Sequence, residues 1–231
     1  MLGGQVLAFP FAGGTRWSYR SISERLEEPG RWNTIELPGR GARTAQRPVL
    51  TVDEAVRDLT VHATRCNPSA PTVLFGHSMG ALMAFLVAVR LTELGTPPRH
   101  LVVSGRAAPN RISRAELPVL DDAALVRELR TMGGLPEEIR SSQKFLDYWL
   151  PILRADLAIL DDWRAGYVSH DSLETPITVL RGIHDVTADD AAAWRAHTRG
   201  SFSVVDYDGG HFFLDSHAAN VAQLIQAMIA A

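Results

Sequence analysis

The stretch Thr72-Val73-Leu74-Phe75-Gly76-His77-Ser78-Met79-Gly80 decides the fold class of this 231-residue chain. Its first four residues predict a short buried strand, and residues 79–94 have the length and apolar character of a buried helix that Gly95 would end. Glycine is needed at positions 76 and 80, two residues on either side of Ser78, because side chains there would collide with neighbouring elements. The pattern Gly-x-Ser-x-Gly at a turn from strand to helix is typical of a nucleophile elbow, which exposes the serine hydroxyl. We therefore predict that Ser78 is a nucleophile, against the alternative of an ordinary turn serine.

Short apolar runs recur on both sides of this stretch, and amphipathic segments separate them. The predicted strands are residues 6–9, 34–37, 72–75, 101–103, 177–180 and 203–205, and the predicted helices include 52–63, 79–94 and 218–228. Alternation of helices with continuously apolar strands predicts a mostly parallel central sheet with helices on both faces. Because no repeat or linker interrupts the pattern, we expect a single domain over residues 1–231.

One segment breaks this alternation. Residues from about 115 to 164 contain helical patterns and no strand candidate. Two apolar faces are predicted there, and they consist of Leu125, Leu129 and Met132 on one side of Gly133-Gly134-Leu135-Pro136 and of Phe145, Trp149, Leu153 and Leu157 on the other. We interpret the segment as a helical lid insertion over the active site; the alternative is a set of ordinary crossover helices.

Composition narrows the classes of protein to consider. A hydrophobic fraction of 46% supports a full core, and a net charge of -3 gives no general attraction to nucleic acid or anionic membranes. The single cysteine, Cys66, cannot form an internal disulfide. The N-terminus lacks a signal-peptide pattern, and the longest apolar run, residues 81–89, is too short to span a bilayer. We expect a cytoplasmic protein with no membrane or nucleic-acid partner.

An acid and a base are found downstream of Ser78 in the order that an α/β-hydrolase fold requires. Asp185 follows the predicted strand 177–180, and His211 follows the last predicted strand. Both positions lie at carboxyl ends of strands, where open α/β sheets bind their ligands. We predict an α/β-hydrolase fold with His211 as general base and Asp185 as its orienting acid. Two other carboxylates close to the histidine in sequence, Asp206 and Asp208, are alternatives for the acid.

The segment Pro10-Phe11-Ala12-Gly13-Gly14, after the first strand, is a candidate oxyanion loop. The backbone N–H of Met79 should be the first oxyanion donor, because it lies at a helix start where N–H groups are free. The backbone N–H of Ala12 or Phe11 should be the second. An ordinary glycine turn is the alternative for this loop. Neither a dinucleotide-binding glycine spacing nor a set of metal ligands is found, so we expect no cofactor and no metal.

Taken together, these residues resemble the type II thioesterases, the stand-alone editing hydrolases that accompany polyketide synthases and nonribosomal peptide synthetases. The resemblance covers nearly the whole chain. The segments that carry it are Phe9-Pro10-Phe11-Ala12-Gly13-Gly14, Glu36-Leu37-Pro38-Gly39-Arg40-Gly41, Gly76-His77-Ser78-Met79-Gly80, Ser104-Gly105-Arg106, Leu150-Pro151-Ile152-Leu153-Arg154-Ala155-Asp156 and Gly209-Gly210-His211-Phe212-Phe213. The Pro-Gly-Arg-Gly and Leu-Arg-Ala-Asp segments distinguish this family from generic lipases and esterases.

The resemblance implies hydrolysis of acyl groups from the phosphopantetheine arm of acyl or peptidyl carrier proteins, which clears stalled or misprimed chains. It also implies a monomer with a mobile helical lid. Carried over position by position, Ser78, Asp185 and His211 form the catalytic triad, and the backbone of Met79 and Ala12 forms the oxyanion hole. Three alternatives remain: a product-releasing thioesterase, a general small-acyl esterase, and a non-catalytic module that binds carriers.

The sequence departs from the family at two places. Phe11 stands where the family usually has His or Tyr, and Val186 follows Asp185 directly, without the usual proline and apolar residue. Four loop arginines, Arg16, Arg40, Arg43 and Arg106, follow predicted strands. We interpret them as contacts for an acidic carrier or its phosphate. Solvated arginines are the alternative, because all basic residues except Lys144 are arginine.

Overall fold

A six-stranded parallel sheet forms the centre of the molecule. The computed structural model describes residues 3–66, 69–111, 120–131, 142–166 and 172–230. The strands are β1 (Gln5–Phe9), β2 (Trp32–Thr34), β3 (Thr72–His77), β4 (His100–Ser104), β5 (Ile177–Gly182) and β6 (Phe202–Tyr207). They lie in the order β2-β1-β3-β4-β5-β6, and every neighbouring pair is parallel. The predicted α/β fold class is therefore confirmed.

Helices cover both faces of this sheet. They are α1 (Arg20–Ser23), α2 (Val52–Arg65), α3 (Met79–Glu93), α4 (Asp122–Thr131), α5 (Gln143–Gly166), α6 (Ala188–Ala192) and α7 (Ala218–Ala230). Successive strand residues point to opposite faces, so Leu74 packs in one apolar cluster with α2, α3 and α5, whereas Val73 packs in another with α1 and α7. Within the described ranges, none of the helices combines the length and apolarity that a bilayer crossing needs.

The second strand lies earlier in the chain than the sequence predicts. It covers Trp32–Thr34, whereas the prediction was residues 34–37. The N–H of Ile35 still donates to the carbonyl of Ala8 on β1, but the carboxylate of Glu36 then accepts the backbone N–H groups of Arg16 and Ala42. These bonds turn the backbone out of the sheet. The prediction was wrong because apolar loop residues in this segment are buried like strand residues.

Helices α4 and α5 occupy the segment between β4 and β5, and the described residues there contribute no strand to the sheet. Leu125, Trp149 and Leu153 are buried together in a separate apolar cluster, which confirms the predicted faces in part. The prediction that Phe145 belongs to the second apolar face was wrong. Phe145 is 54% exposed and lies in the first turn of α5, ahead of the buried part of the helix. Met132 and the predicted break after it lie outside the described residues.

Candidate active site

Ser78 lies at the sharp turn that joins β3 to α3. Its backbone has φ 55° and ψ -117°, and no other non-glycine residue in the described part of the chain has a positive φ. A Cβ atom on Gly76 would overlap the backbone of Gly80, and one on Gly80 would overlap the carbonyl of Phe9. Both glycines are therefore required sterically. The surrounding close packing holds the serine in a strained conformation, as a nucleophile elbow requires.

His211 and Asp185 form a hydrogen-bonded pair. The Nδ1 atom of the imidazole lies 2.9 Å from each carboxylate oxygen, and the two side chains are 13% and 17% exposed. The loops that carry them are joined by a hydrogen bond from the N–H of His184 to the carbonyl of Gly209. Such a contact fixes the tautomer of the imidazole and leaves its Nε2 atom available for proton transfer.

The alternative acids have different partners. Asp206 forms a bidentate pair with Arg181, whose Nε lies 2.8 Å from one carboxylate oxygen. Asp208 lies 3.2 Å from the Nε2 atom of His184 and is well exposed. Of the three carboxylates considered from the sequence, the structure places only Asp185 against His211.

A cavity of about 240 Å³ brings the predicted catalytic residues together. Ser78, Asp185 and His211 all line it, with residues of the loop after β4 and of the end of α5. A larger cavity, of about 520 Å³, lies beside the β2 edge of the sheet and contains none of these three residues. We take the smaller cavity as the candidate active site because it contains Ser78, the candidate nucleophile, and His211, the candidate base. Within the described ranges, no group of three or more His, Cys, Asp or Glu side chains could hold a metal ion.

His77 packs beneath His211, the candidate base. Its ring is fully buried, with Nδ1 3.0 Å from the hydroxyl of Ser104 and a ring centroid 4.9 Å from that of His211. Its backbone N–H donates to the hydroxyl of Tyr19. Burial, and secondly the neighbouring His211, lower the pKa of His77 well below its usual value. His77 is therefore a neutral ring that supports the catalytic histidine candidate from inside the core.

The loop after β1 is held by helix α5. The N–H of Gly13 donates to Asp156 at 2.7 Å, and the indole N–H of Trp149 donates to the carbonyl of Gly13 at 2.8 Å. A bond from the N–H of Gly14 to the carbonyl of Phe11 closes the turn around Ala12. The predicted oxyanion loop is therefore fastened at the residue that follows its candidate donor. The other candidate donor, Met79, is the first residue of α3, where N–H groups lack partners within the helix.

The partner of this loop was not predicted from the sequence. Asp156 is completely buried and forms a bidentate ion pair with Arg40, one of whose bonds is 2.6 Å long. One sequence feature could have indicated this ion pair. The two residues lie in the two unusual segments Pro-Gly-Arg-Gly and Leu-Arg-Ala-Asp, which occur together in this chain. Because Arg40 is only 2% exposed, the prediction that it contacts a carrier protein was wrong.

The other three loop arginines differ in their surroundings. Arg43 is mostly buried and pairs with Asp58 at 2.6 Å. Arg106 lines the cavity of Ser78. Only Arg16 of the four is exposed, and its guanidinium lies over the exposed ring of Trp17.

Comparisons with known proteins identify the family of this chain. The Thioesterase domain family matches residues 4–229. A probable cadicidin biosynthesis thioesterase from Streptomyces griseus is 32% identical over 227 residues, which cover 97% of this chain and 62% of that protein. The structure of RedJ, a thioesterase from the prodiginine biosynthetic pathway in Streptomyces coelicolor, is 33% identical with a TM-score of 0.89, covering 97% of this chain and 90% of that one.

A second solved structure has the same relationship to this chain. The type II thioesterase BorB from the borrelidin biosynthetic cluster is 33% identical with a TM-score of 0.86, and the match covers 98% of this chain and 93% of BorB. These matches confirm the resemblance that the sequence motifs indicated. The chain belongs to the Thioesterase domain family and has the fold of its type II members.

Proposed function

We propose that this protein is an editing thioesterase of polyketide or nonribosomal peptide synthesis, which hydrolyses acyl groups from the phosphopantetheine arm of carrier proteins. One observation carries the proposal: the hydrogen-bonded pair of His211 and Asp185 shares a cavity with Ser78, in a chain of the Thioesterase family. This constellation supports nucleophilic acyl transfer, and the family supplies the thioester as the bond that is cleaved.

In the proposed reaction, the Oγ atom of Ser78 attacks the thioester carbonyl while His211 accepts the hydroxyl proton. Asp185 holds the imidazole and stabilises the imidazolium that forms. The tetrahedral intermediate expels the pantetheine thiolate, which receives the proton from His211, and an acyl-serine remains. Water, deprotonated by the same histidine, then hydrolyses this ester and restores the hydroxyl.

The oxyanion of each intermediate would accept hydrogen bonds from the backbone N–H groups of Met79 and Ala12. Removal of one such donor typically costs about a hundred- to a thousandfold in rate. The anchoring of the neighbouring Gly13 by Asp156 supports this role, because a fixed loop needs no reorganisation when charge develops.

We further propose that the protein acts as a monomer on acyl or peptidyl carrier proteins, and that α4 and α5 form the lid of the predicted single domain. A carrier protein presents its arm from outside, so the arm must enter between α5 and the loops at the edge of the sheet. The presence of α5 residues in the wall of the cavity supports this route.

The test compares carrier proteins loaded with short acyl groups with oxygen esters of the same acids, using wild type and Ser78→Ala. We expect hydrolysis of the loaded carriers, a clear preference over the oxygen esters, and loss of turnover in the variant. A preference for free oxygen esters would contradict the editing function. Faster release of a full-length product chain than of short acyl groups would instead identify a product-releasing enzyme.

A further inference from the structure

We infer that Arg106 forms an anion-binding subsite in the cavity of Ser78, which receives a negatively charged group of the thioester substrate. The inference rests on the proposed function and adds the chemical class of the substrate. Arg106 lies two residues after the end of β4 and lines the same cavity as Ser78 and His211.

The side chain of Arg106 is held in a defined place. Its guanidinium carbon lies 5.1 Å from the ring centroid of Trp163 on α5, in the geometry of a cation–π contact. The indole N–H of Trp194 donates to the backbone carbonyl of Arg106 at 2.9 Å, which fixes the main chain of Arg106. A guanidinium held over an aromatic ring can still direct its fork of N–H groups at a planar or tetrahedral anion.

No carboxylate balances this cation within the described part of the chain. Arg40, Arg43 and Arg181 each form a bidentate pair with an aspartate, whereas the guanidinium of Arg106 has no ion pair or hydrogen bond among the described residues. Among the described carboxylates, only Asp185 lines the cavity, and it is already paired with His211.

Two more cations add to the positive charge of the cavity wall. Arg164 lines it and pairs with Asp161 at 2.8 Å, and Arg111 lines it from an exposed position. The described residues of the wall therefore include three arginines and one carboxylate, that of Asp185, which holds the imidazole. An anion in this cavity would be attracted by all three guanidinium groups.

The electrostatic state of Arg106 agrees with an anion site. Burial, and secondly the charge of Arg164, lower its pKa to about 10, so the side chain remains a cation at neutral pH. A partly buried cation without a counter-charge is unfavourable, and a bound anion would compensate it. The geometry of the cavity and the pKa therefore point to the same class of ligand.

Two parts of the proposed substrate could supply the anion. One is a carboxylate at the far end of the acyl group, as in a dicarboxylic half-thioester, and the other is the phosphate of the pantetheine arm. Both accept two parallel N–H bonds from a guanidinium. A matched set of small thioesters distinguishes them.

The experiment measures kcat/KM for two substrate pairs. The first pair is the malonyl and butyryl thioesters of N-acetylcysteamine, which differ in the terminal carboxylate. The second pair is butyryl phosphopantetheine and butyryl pantetheine, which differ in the phosphate. Wild type is compared with Arg106→Met and Arg106→Lys, and with Arg57→Met as a control at an exposed position on α2.

For each pair, we divide kcat/KM of the anionic substrate by kcat/KM of the neutral one. We expect Arg106→Met to lower this ratio by about ten- to a hundredfold in one pair, since hydrogen bonds to charged groups contribute that much. The affected pair identifies the source of the anion. Arg106→Lys should retain part of the ratio, and Arg57→Met should keep the wild-type ratio. Unchanged ratios in both pairs for both Arg106 variants would overturn the inference while leaving the proposed function intact.

A binding measurement covers the case in which wild type hydrolyses none of these thioesters, which would count against the proposed function alone. In Ser78→Ala, malonate or inorganic phosphate should raise the Tm, and the added Arg106→Met or Arg106→Lys change should abolish or weaken this effect. Equal Tm increases in all three proteins, or no increase in Ser78→Ala, would overturn the anion subsite.

Discussion

The carboxylate of Asp156, in helix α5, accepts a hydrogen bond of 2.7 Å from the backbone N–H of Gly13, in the loop after β1. The same carboxylate forms the buried bidentate pair with Arg40, whose guanidinium also donates to the carbonyl of Gly14 at 3.3 Å. A single buried ion pair thus joins the helical segment between β4 and β5 to the proposed oxyanion loop. It holds the main chain beside Ala12 in place.

Asp156→Asn should destabilise the protein strongly. The amide removes the negative charge and leaves Arg40 as an uncompensated buried cation, which costs about 3–5 kcal/mol. The change should also lower kcat, because the proposed oxyanion loop loses its fixed position. Denaturant unfolding and thioester turnover measure the two effects.

The control for this variant is the exposed pair of Arg20 and Glu24, where Glu24→Gln should change the free energy of unfolding by less than about 1 kcal/mol. The double change Arg40→Met with Asp156→Leu should recover part of the lost stability, because it removes both buried charges. Wild-type stability and kcat in Asp156→Asn would show that the ion pair of Arg40 and Asp156 does not hold the loop after β1 in place.

Gly13→Ala and Gly95→Ala form a matched test of the oxyanion loop. Both glycines have a positive φ, 75° and 76°, so alanine costs about 1 kcal/mol of backbone strain at either position. A Cβ on Gly13 would lie 2.7 Å from the indole nitrogen of Trp149, whereas one on Gly95 meets nothing within 4 Å. Gly13→Ala should therefore lose more stability and, unlike Gly95→Ala, should reduce kcat. Equal losses in both variants would contradict the fixed loop.

The central sheet and the three residues of the candidate triad could be predicted from the sequence, because local signals specify them. The apolar run before Gly76 and the glycine spacing around Ser78 each have one common structural solution. The chain order then restricts the acid and the base. Asp185 contacts His211 although Val186 follows it directly, and a hydrogen bond from the N–H of Asp185 to the carbonyl of Gly182 closes the loop.

The contacts that hold the site could not be predicted in the same way. Arg40 and Asp156 are 116 residues apart, and charged residues are rarely buried, so the sequence alone favoured an arginine at the surface, in contact with a carrier protein or with water. The end of β2 was missed for a related reason: Ile35 and Leu37 are buried outside any strand, and apolar alternation does not distinguish the two cases. Both errors concern long-range contacts that no local pattern encodes.

Asp185→Asn should reduce kcat by about a thousand- to ten-thousandfold, because an amide cannot stabilise the imidazolium and favours the wrong tautomer of His211. Asp206→Asn is the matched control, since Asp206 pairs with Arg181 at the surface. A larger loss of rate in Asp206→Asn than in Asp185→Asn would show that the acid is misassigned. Steady-state kinetics with one acyl thioester decide between them.

Ser78→Ala and Ser78→Gly should both lose about ten-thousandfold or more in kcat, because both lack the hydroxyl of the proposed nucleophile. Their stabilities should differ. Glycine relieves the strain of φ 55°, so Ser78→Gly should be more stable than Ser78→Ala by about 1 kcal/mol in chemical denaturation. The control is Ala227→Gly on the exposed side of α7, which should lose about 0.5–1 kcal/mol. A less stable glycine variant at position 78 would contradict the strained turn.

Acidification should destabilise the protein through His77. Burial and the adjacent His211 lower the pKa of His77 well below 6.5, so the unfolded chain binds a proton that the folded protein excludes. The free energy of unfolding should therefore be highest above about pH 6.5 and fall as the pH decreases towards the folded-state pKa, by at most about 1.4 kcal/mol per pH unit for this proton. Denaturant unfolding between pH 8 and pH 5 measures the slope.

His77→Asn removes the titrating ring and keeps a polar partner for Ser104, so this variant should have a smaller slope, whatever its stability at pH 8. His100 shows the same effect more weakly, because burial and Arg99 lower its pKa as well. His100→Asn should consequently flatten the slope by less than His77→Asn does. If His77→Asn retains the full wild-type slope, the buried ring already carries its proton in the folded protein, and it does not support His211 as a neutral residue.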